Sequence, residues 1–144
     1  RAGLKGAGDA PLINALDTWT EARAAQLAPL IAQRLATGQV REGHGDLHLA
    51  NIVWHDGAPL LFDALEFDPV LRHIDLIGDV AFTVMDLLAA GLPRLAWRLA
   101  SAWTEAAGQH DGLPLLAWWA AHRAAVNAFL NKQPLPFRWP TRQD

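Results

Sequence analysis

Eight consecutive residues, His44-Gly45-Asp46-Leu47-His48-Leu49-Ala50-Asn51, bring together two imidazoles, a carboxylate and a carboxamide. A second group follows at Phe62-Asp63-Ala64-Leu65-Glu66-Phe67-Asp68. Between them lie two short apolar runs, Ile52-Val53-Trp54 and Leu60-Leu61-Phe62, joined by His55-Asp56-Gly57-Ala58-Pro59. Asp-Gly between β-type runs predicts a hairpin. A hairpin brings the chain back to its start, so Asn51, ahead of the first strand, is expected near Asp63, behind the second. Asp46 sits five residues earlier in the same loop. A carboxylate, an amide and a second carboxylate should therefore meet at one rim. Phosphoryl transfer to a hydroxyl needs such a trio: one carboxylate accepts the proton of the attacking hydroxyl, while an Asn and an Asp hold Mg²⁺ on the nucleotide phosphates.

The charge distribution points to the same segment. Residues 41–86 hold nine acids against two basic residues, a local balance of −7, while the remainder of the chain carries +4. Asp56 and Asp86 read as solvated surface acids. Several of the others are flanked by apolar residues, and half-buried carboxylates need partners, of which cations are the usual kind.

The spacing from Asp46 to Asn51 equals that of the H-R-D-x-x-x-x-N loop of protein kinases. Followed by Asp63, the segment His44–Asn51 resembles the catalytic region of the aminoglycoside phosphotransferase family of protein-kinase-like enzymes. More narrowly, several blocks resemble, in order, a bacterial branch known as bifunctional aminoglycoside phosphotransferase/ATP-binding proteins. These blocks are Glu42-Gly43-His44-Gly45-Asp46-Leu47-His48, Phe62-Asp63 with Glu66-Phe67, Arg72-His73-Ile74-Asp75, and Asp79-Val80-Ala81-Phe82 with Met85-Asp86-Leu87. The likeness spans about residues 30–130.

The resemblance implies the carboxy-terminal lobe of a protein-kinase-like fold, with Asp46 as catalytic base and Asn51 and Asp63 as Mg²⁺ ligands. It gives His44 as the structural histidine of the loop and Asp79 as the acid, on a following helix, that holds the loop backbone. Glu66 belongs to the branch motif and faces metal or substrate. Implied with these are ATP and Mg²⁺ as cofactors and a small-molecule hydroxyl acceptor as partner. No glycine-rich phosphate loop and no strand lysine accompany them; Lys5 lies in a Gly-Ala-rich stretch. The expectation is a lobe that works with a missing amino-terminal lobe, which holds most of the ATP, and that is inactive as an isolated fragment.

The remaining polar residues have plainer readings beside functional ones. For His48 a hydrogen bond to nearby backbone stands against a substrate or metal contact. For Arg72 an ion pair with a neighbouring acid stands against a phosphate or substrate contact. Asp75 is expected to cap a helix, and Arg123 to be solvated or ion-paired. Two other functions compete with the phosphotransferase: a non-catalytic binding or pseudokinase module that keeps the acidic surface, and a metallohydrolase using His44, Asp46 and His48.

The elements that must position these residues read as mostly helical, α+β, with one small hairpin. Thr18-Trp19-Thr20-Glu21 matches a capping box, apolar positions follow to Leu35, Pro29 should kink or split the run, and Gly38 ends it. Helical spacing returns from Asp75 to Gly91, with a stripe of Ile77, Val80, Ala81, Val84, Leu87 and Leu88. Pro93 opens a helix with Leu95, Trp97, Leu99 and Trp103, running to Gly108, and a last helix spans about Pro114 to Leu130. Pro134, Pro136 and Pro140 make 131–144 an irregular tail. The tryptophans, seven in all, are expected at packing positions.

The 144 residues fit a single domain, 1–144, with a real core, since 51% are hydrophobic. With no cysteine there is neither a disulfide framework nor a thiolate nucleophile. A net charge of −3 argues against nucleic acid as the main partner, and interrupted apolar stretches argue against a membrane span. A soluble, cytoplasmic protein is expected. Arg1 as first residue and Met85 as sole methionine suggest a chain that is not a complete translation product.

Overall fold

A computed structural model describes residues 10–131 of the chain. Lys5, Lys132, Trp139 and the proline-bearing tail lie outside the described residues. The architecture is α+β and mostly helical. Helix α1 spans Ala10–Ala36, α2 Pro69–Arg72, α3 Leu76–Ala89, α4 Pro93–Ala107 and α5 Leu113–Asn131. Four short strands, β1 (Val40–Glu42), β2 (Ile52–His55), β3 (Ala58–Leu61) and β4 (His73–Asp75), form two separate antiparallel pairs.

Helix α1 corrects one expectation and narrows another. Thr18 is not its start: it lies inside the helix, and its hydroxyl donates to the Asn14 carbonyl at 2.9 Å, so the capping-box pattern has no free amides to serve. Pro29 does not split the helix either. Proline removes one backbone donor, and packing of α1 against α5 around Leu27, Leu30 and Ile31 carries the helix through it. Its end was legible. Gly38 is left-handed (φ +74°), the Gln39 amide reaches the Arg34 carbonyl at 2.9 Å and the Gly38 amide the Leu35 carbonyl at 3.2 Å, a double-bonded glycine stop.

Helix α3 is the central beam. Every residue from Ile77 to Met85 is buried, because α4 and α5 pack against it on different sides and α1 closes over α5. Alanines at the crossings, Ala96 and Ala100 on α4 and Ala120 and Ala124 on α5, let the backbones approach closely while Ile77, Val84, Met85 and Leu115 fill the core. On α4 the buried face is thus Ala96, Ala100 and Thr104, with Leu99 and Trp103 beside it. Leu95 and Trp97, expected to pack, are about half exposed, and Trp54 on β2 is 75% exposed. The α4 crossing is taken by Ala96 and Ala100, so the tryptophans divide between core edge and surface.

The hairpin β2–β3 forms as expected, Ile52 opposite Leu61 and Trp54 opposite Pro59. Its Asp56-Gly57 turn has positive φ at both residues (48° and 79°), the conformation whose twist matches a two-residue hairpin. It is not the only strand region. β1 pairs with β4, Val40 opposite Asp75 and Glu42 opposite His73. Val-Arg-Glu and His-Ile-Asp are too short and too polar to show a strand pattern, and the pair is held by long-range closure rather than by propensity.

That closure is built around Arg34, which is fully buried. Its Nε and Nη2 donate to the two carboxylate oxygens of Asp75, each at 2.8 Å; Nη1 donates to Asp111 (2.8 Å) and Nη2 also to Gln109 (2.7 Å). The adjacent Asp75 carboxylate raises the guanidinium pKa and more than offsets the opposing effect of burial. Asp75 also caps α3, accepting from the Ile77 amide at 3.0 Å, as expected from sequence. One buried arginine so joins the end of α1, the start of α3 and the α4–α5 connection. No helix among the described residues is long and apolar enough to cross a membrane.

Candidate functional site

The segment 43–51 lies along α3 and is fastened to it at four points. Both oxygens of Asp79 accept backbone amides, from His44 at 2.7 Å and Gly45 at 2.9 Å. One and two turns on, the Thr83 hydroxyl donates to the Leu47 carbonyl (2.7 Å) and Asp86 accepts the Leu49 amide (2.9 Å). Positions 79, 83 and 86 share one helix face, so the loop's path is set by a polar edge on an otherwise apolar helix. Asp86 is thereby corrected: it is half-buried and bonded rather than solvated. Close approach requires glycine here, since a Cβ at Gly43 would overlap the Asp79 carboxylate.

His44 is held at both ring nitrogens. Its Nδ1 accepts the Asp46 amide at 3.3 Å, so Nε2 carries the hydrogen and donates to the Phe62 carbonyl at 2.7 Å. This ties the loop to the far end of the hairpin, as do the bonds from the Phe62 amide to the Asn51 carbonyl (3.1 Å) and from the Leu65 amide to the His44 carbonyl (3.1 Å). Asn51 thus stands opposite Phe62, with Asp63 the next residue. Asp63 is left-handed (φ +57°), a conformation uncommon outside glycine and one that gathers at functional positions.

The expected trio is therefore brought together. Asn51 is buried, its Nδ2 donating to the Asp46 carbonyl (2.9 Å) and lying 3.4 Å from the Asp46 carboxylate. Asp46 and Asp63 line one open cavity of about 490 Å³ with Ala64, Leu65, Glu66 and Phe67. Glu66 is exposed on that wall. His48 departs from its plainer reading: its Nε2 approaches the Asp46 carboxylate at 3.4 Å and its ring lies 5.5 Å from that of Phe82. Arg72 takes its plainer one, pairing with Glu42 and donating to the Leu65 carbonyl at 3.0 Å.

Arg123, on α5, is half-buried rather than solvated, and it forms no ion pair with an acid among the described salt bridges. Its Nη2 donates to the Gly45 carbonyl at 3.1 Å and its guanidinium lies over the Phe82 ring, 5.0 Å from the centroid. Burial pushes its pKa below the ordinary arginine range, while the Asp79 and Asp46 charges act the other way. Sequence offered no signal for this contact across 78 positions. Thr83 and Asp86, by contrast, stand one and two turns after Asp79, a spacing that could have been read.

The donor set suits a hard divalent cation. With Asn51 Nδ2 given to Asp46, its Oδ1 is the atom left for a cation, and the Asn51 backbone pairs with Phe62, the residue before Asp63. Mg²⁺ keeps several waters and phosphate oxygens, so two protein oxygens suffice. Among the described residues no three His, Cys, Asp or Glu side chains form a metal-holding group, and His44 has both nitrogens engaged.

No family model matches the chain, and no solved structure matches it. It is similar to uncharacterized proteins of Mycobacterium tuberculosis (strain H37Rv) and Mycobacterium bovis, with 36% identity over 99 residues, 69% of this chain. The chain spans only 20% of the length of those relatives.

Proposed function

We propose that this chain is the catalytic lobe of an ATP- and Mg²⁺-dependent phosphotransferase that acts on a hydroxyl of a small molecule. The supporting observation is the placement of Asp46 and Asp63 on one cavity with Asn51 hydrogen-bonded to Asp46. In this reading Asp46 accepts the proton of the acceptor hydroxyl. Asn51 Oδ1 and Asp63 hold the cation, which supplies charge neutralisation on the transferring phosphoryl group. Asp79, Thr83, Asp86 and His44 keep the loop rigid, so Asp46 meets the hydroxyl without reorganisation. In this reading, which draws on the resemblance to the aminoglycoside phosphotransferase family, the fold is a protein-kinase-like carboxy-terminal lobe and the compartment is the cytoplasm, where ATP is at hand.

The hairpin supports an amino-terminal lobe as the missing partner. Val53, Trp54, Leu60, Leu61 and Phe62 are all substantially exposed next to the cavity, and uncovered apolar surface of that kind marks a docking face. ATP binds between the two bodies, and this chain alone is inactive. A binding or pseudokinase module needs the clamped loop but not a base together with two cation ligands. The metallohydrolase reading loses His44 to the Phe62 carbonyl.

The test is Mg²⁺-dependent turnover of ATP by the full protein carrying this chain. Asn51→Leu and Asp63→Asn should each raise the Mg²⁺ concentration needed for half-maximal turnover at least tenfold. An unchanged Mg²⁺ dependence in both variants refutes the ligand assignment.

A further inference from the structure

The candidate site has one neighbour that its chemistry does not yet use. Arg123 comes from α5, yet it is the only described side chain bonded to the Gly45 carbonyl, the oxygen of the peptide that leads into Asp46. Asp79 holds the amide of the same residue. Gly45 is left-handed (φ +80°), a conformation with few local restraints of its own, so Arg123 on the carbonyl and His44 Nδ1 on the Asp46 amide set the tilt of the following peptide, with Asp79 holding the amide before it. A cation here is costly. The Arg123 Nε is buried without a partner, and no carboxylate lies within ion-pair distance among the described salt bridges. Methionine or leucine would fill the space on Phe82 without desolvating a charge.

From this placement we infer that Arg123 is a positioning residue for Asp46, acting in two ways on the loop. Its Nη2 fixes the carbonyl of the Gly45–Asp46 peptide, while Asp79 holds the Gly45 amide. Its guanidinium also lies over Phe82, whose ring touches His48, whose Nε2 approaches Asp46. The last helix thus braces the base through backbone and through a stack of three side chains. The charges of Asp79 and Asp46 favour the guanidinium at this place and oppose the larger effect of its desolvation, in a half-buried arginine whose hydrogen bond goes to a carbonyl. The inference rests on the phosphotransferase reading, since it assigns Arg123 a role toward that reading's base.

The experiment compares Arg123→Met, Arg123→Lys and Asp46→Asn in the full protein, using Mg·ATP with water as probe acceptor. Arg123→Met should lower kcat by about 10–100-fold, the scale of a small misplacement of a catalytic group, with KM for Mg·ATP within twofold of wild type. Arg123→Lys, which keeps a cation and a donor, should recover part of that loss. Hydrogen exchange should quicken in a peptide covering 43–51 in Arg123→Met. A kcat within twofold of wild type in Arg123→Met, where Asp46→Asn abolishes turnover, overturns the inference alone. Should Arg123→Met fail to fold, Arg123→Lys decides: a kcat equal to wild type overturns the inference, and a fall of fivefold or more supports it. Wild-type turnover no faster than Asp46→Asn overturns the phosphotransferase reading and this inference with it.

Discussion

Replacing Asp75 with alanine should nearly unfold the chain, although Asp75 lies outside the cavity. The carboxylate does two things at once. It takes both forks of the fully buried Arg34 and caps α3 at the Ile77 amide. Removing one partner of a buried ion pair costs about 3–5 kcal/mol, and here the buried cation would keep only the half-exposed Asp111 as counter-charge. Losing the cap adds ~1 kcal/mol. The total, about 4–6 kcal/mol, approaches the low end of a domain's whole stability of about 5–15 kcal/mol. Asp111 also accepts from Arg34, but its side chain is half exposed, so Asp111→Ala should cost only about 1 kcal/mol. Asp75→Asn keeps the cap and one acceptor and should fall between the two. Urea unfolding followed by tryptophan fluorescence ranks the three. A cost for Asp75→Ala below about 2 kcal/mol, or one no larger than that of Asp111→Ala, refutes the reasoning.

Gly43→Ala places a methyl group on the Asp79 carboxylate; stability should fall by about 1–3 kcal/mol, and turnover by tenfold or more, read by thermal melting and Mg·ATP kinetics. Thr83→Val leaves the Leu47 carbonyl without its donor and should cost about 1–3 kcal/mol in the same melts. Trp54→Ser, on the exposed hairpin face, should change the stability of this chain by no more than about 0.5 kcal/mol, while weakening any lobe that docks there, measurable by limited proteolysis of the full protein. His122, set between Trp118 and the edge of Trp119, has its pKa lowered first by burial and then by Arg123. The unfolded chain therefore takes up this proton more readily. The stability tied to a neutral His122 is complete above the ordinary histidine pKa of about 6.5 and declines as pH falls below it toward the lowered folded value. Solvent on its exposed side keeps the effect small, and His122→Gln should remove that slope from a stability–pH curve.

Much of this architecture could be read from the residues. The Asp-Gly turn, the glycine stops at Gly38 and Gly108 and the apolar stripe of α3 are local signals, and each stands where its chemistry places it. The expected meeting of Asp46, Asn51 and Asp63 followed from the hairpin, which returns Asp63 to Asn51, and from the short loop that joins Asp46 to Asn51. What stayed hidden depends on distant partners. Arg34 looks like an ordinary helix arginine until Asp75, 41 positions on, closes over it. The β1–β4 pair has no pattern of its own, and Arg123 reaches Gly45 only because α5 packs across α3. The Thr18 misreading has the opposite cause: a real capping pattern met a helix that had already begun.

The central claim is tested most directly by ³¹P NMR of the full protein given Mg·ATP and a panel of polyols, amino alcohols and aminoglycosides. The account predicts a new phosphomonoester signal with wild type, none with Asp46→Asn, and none when Mg²⁺ is chelated. A phosphomonoester formed equally fast by Asp46→Asn, or formed without Mg²⁺, contradicts it.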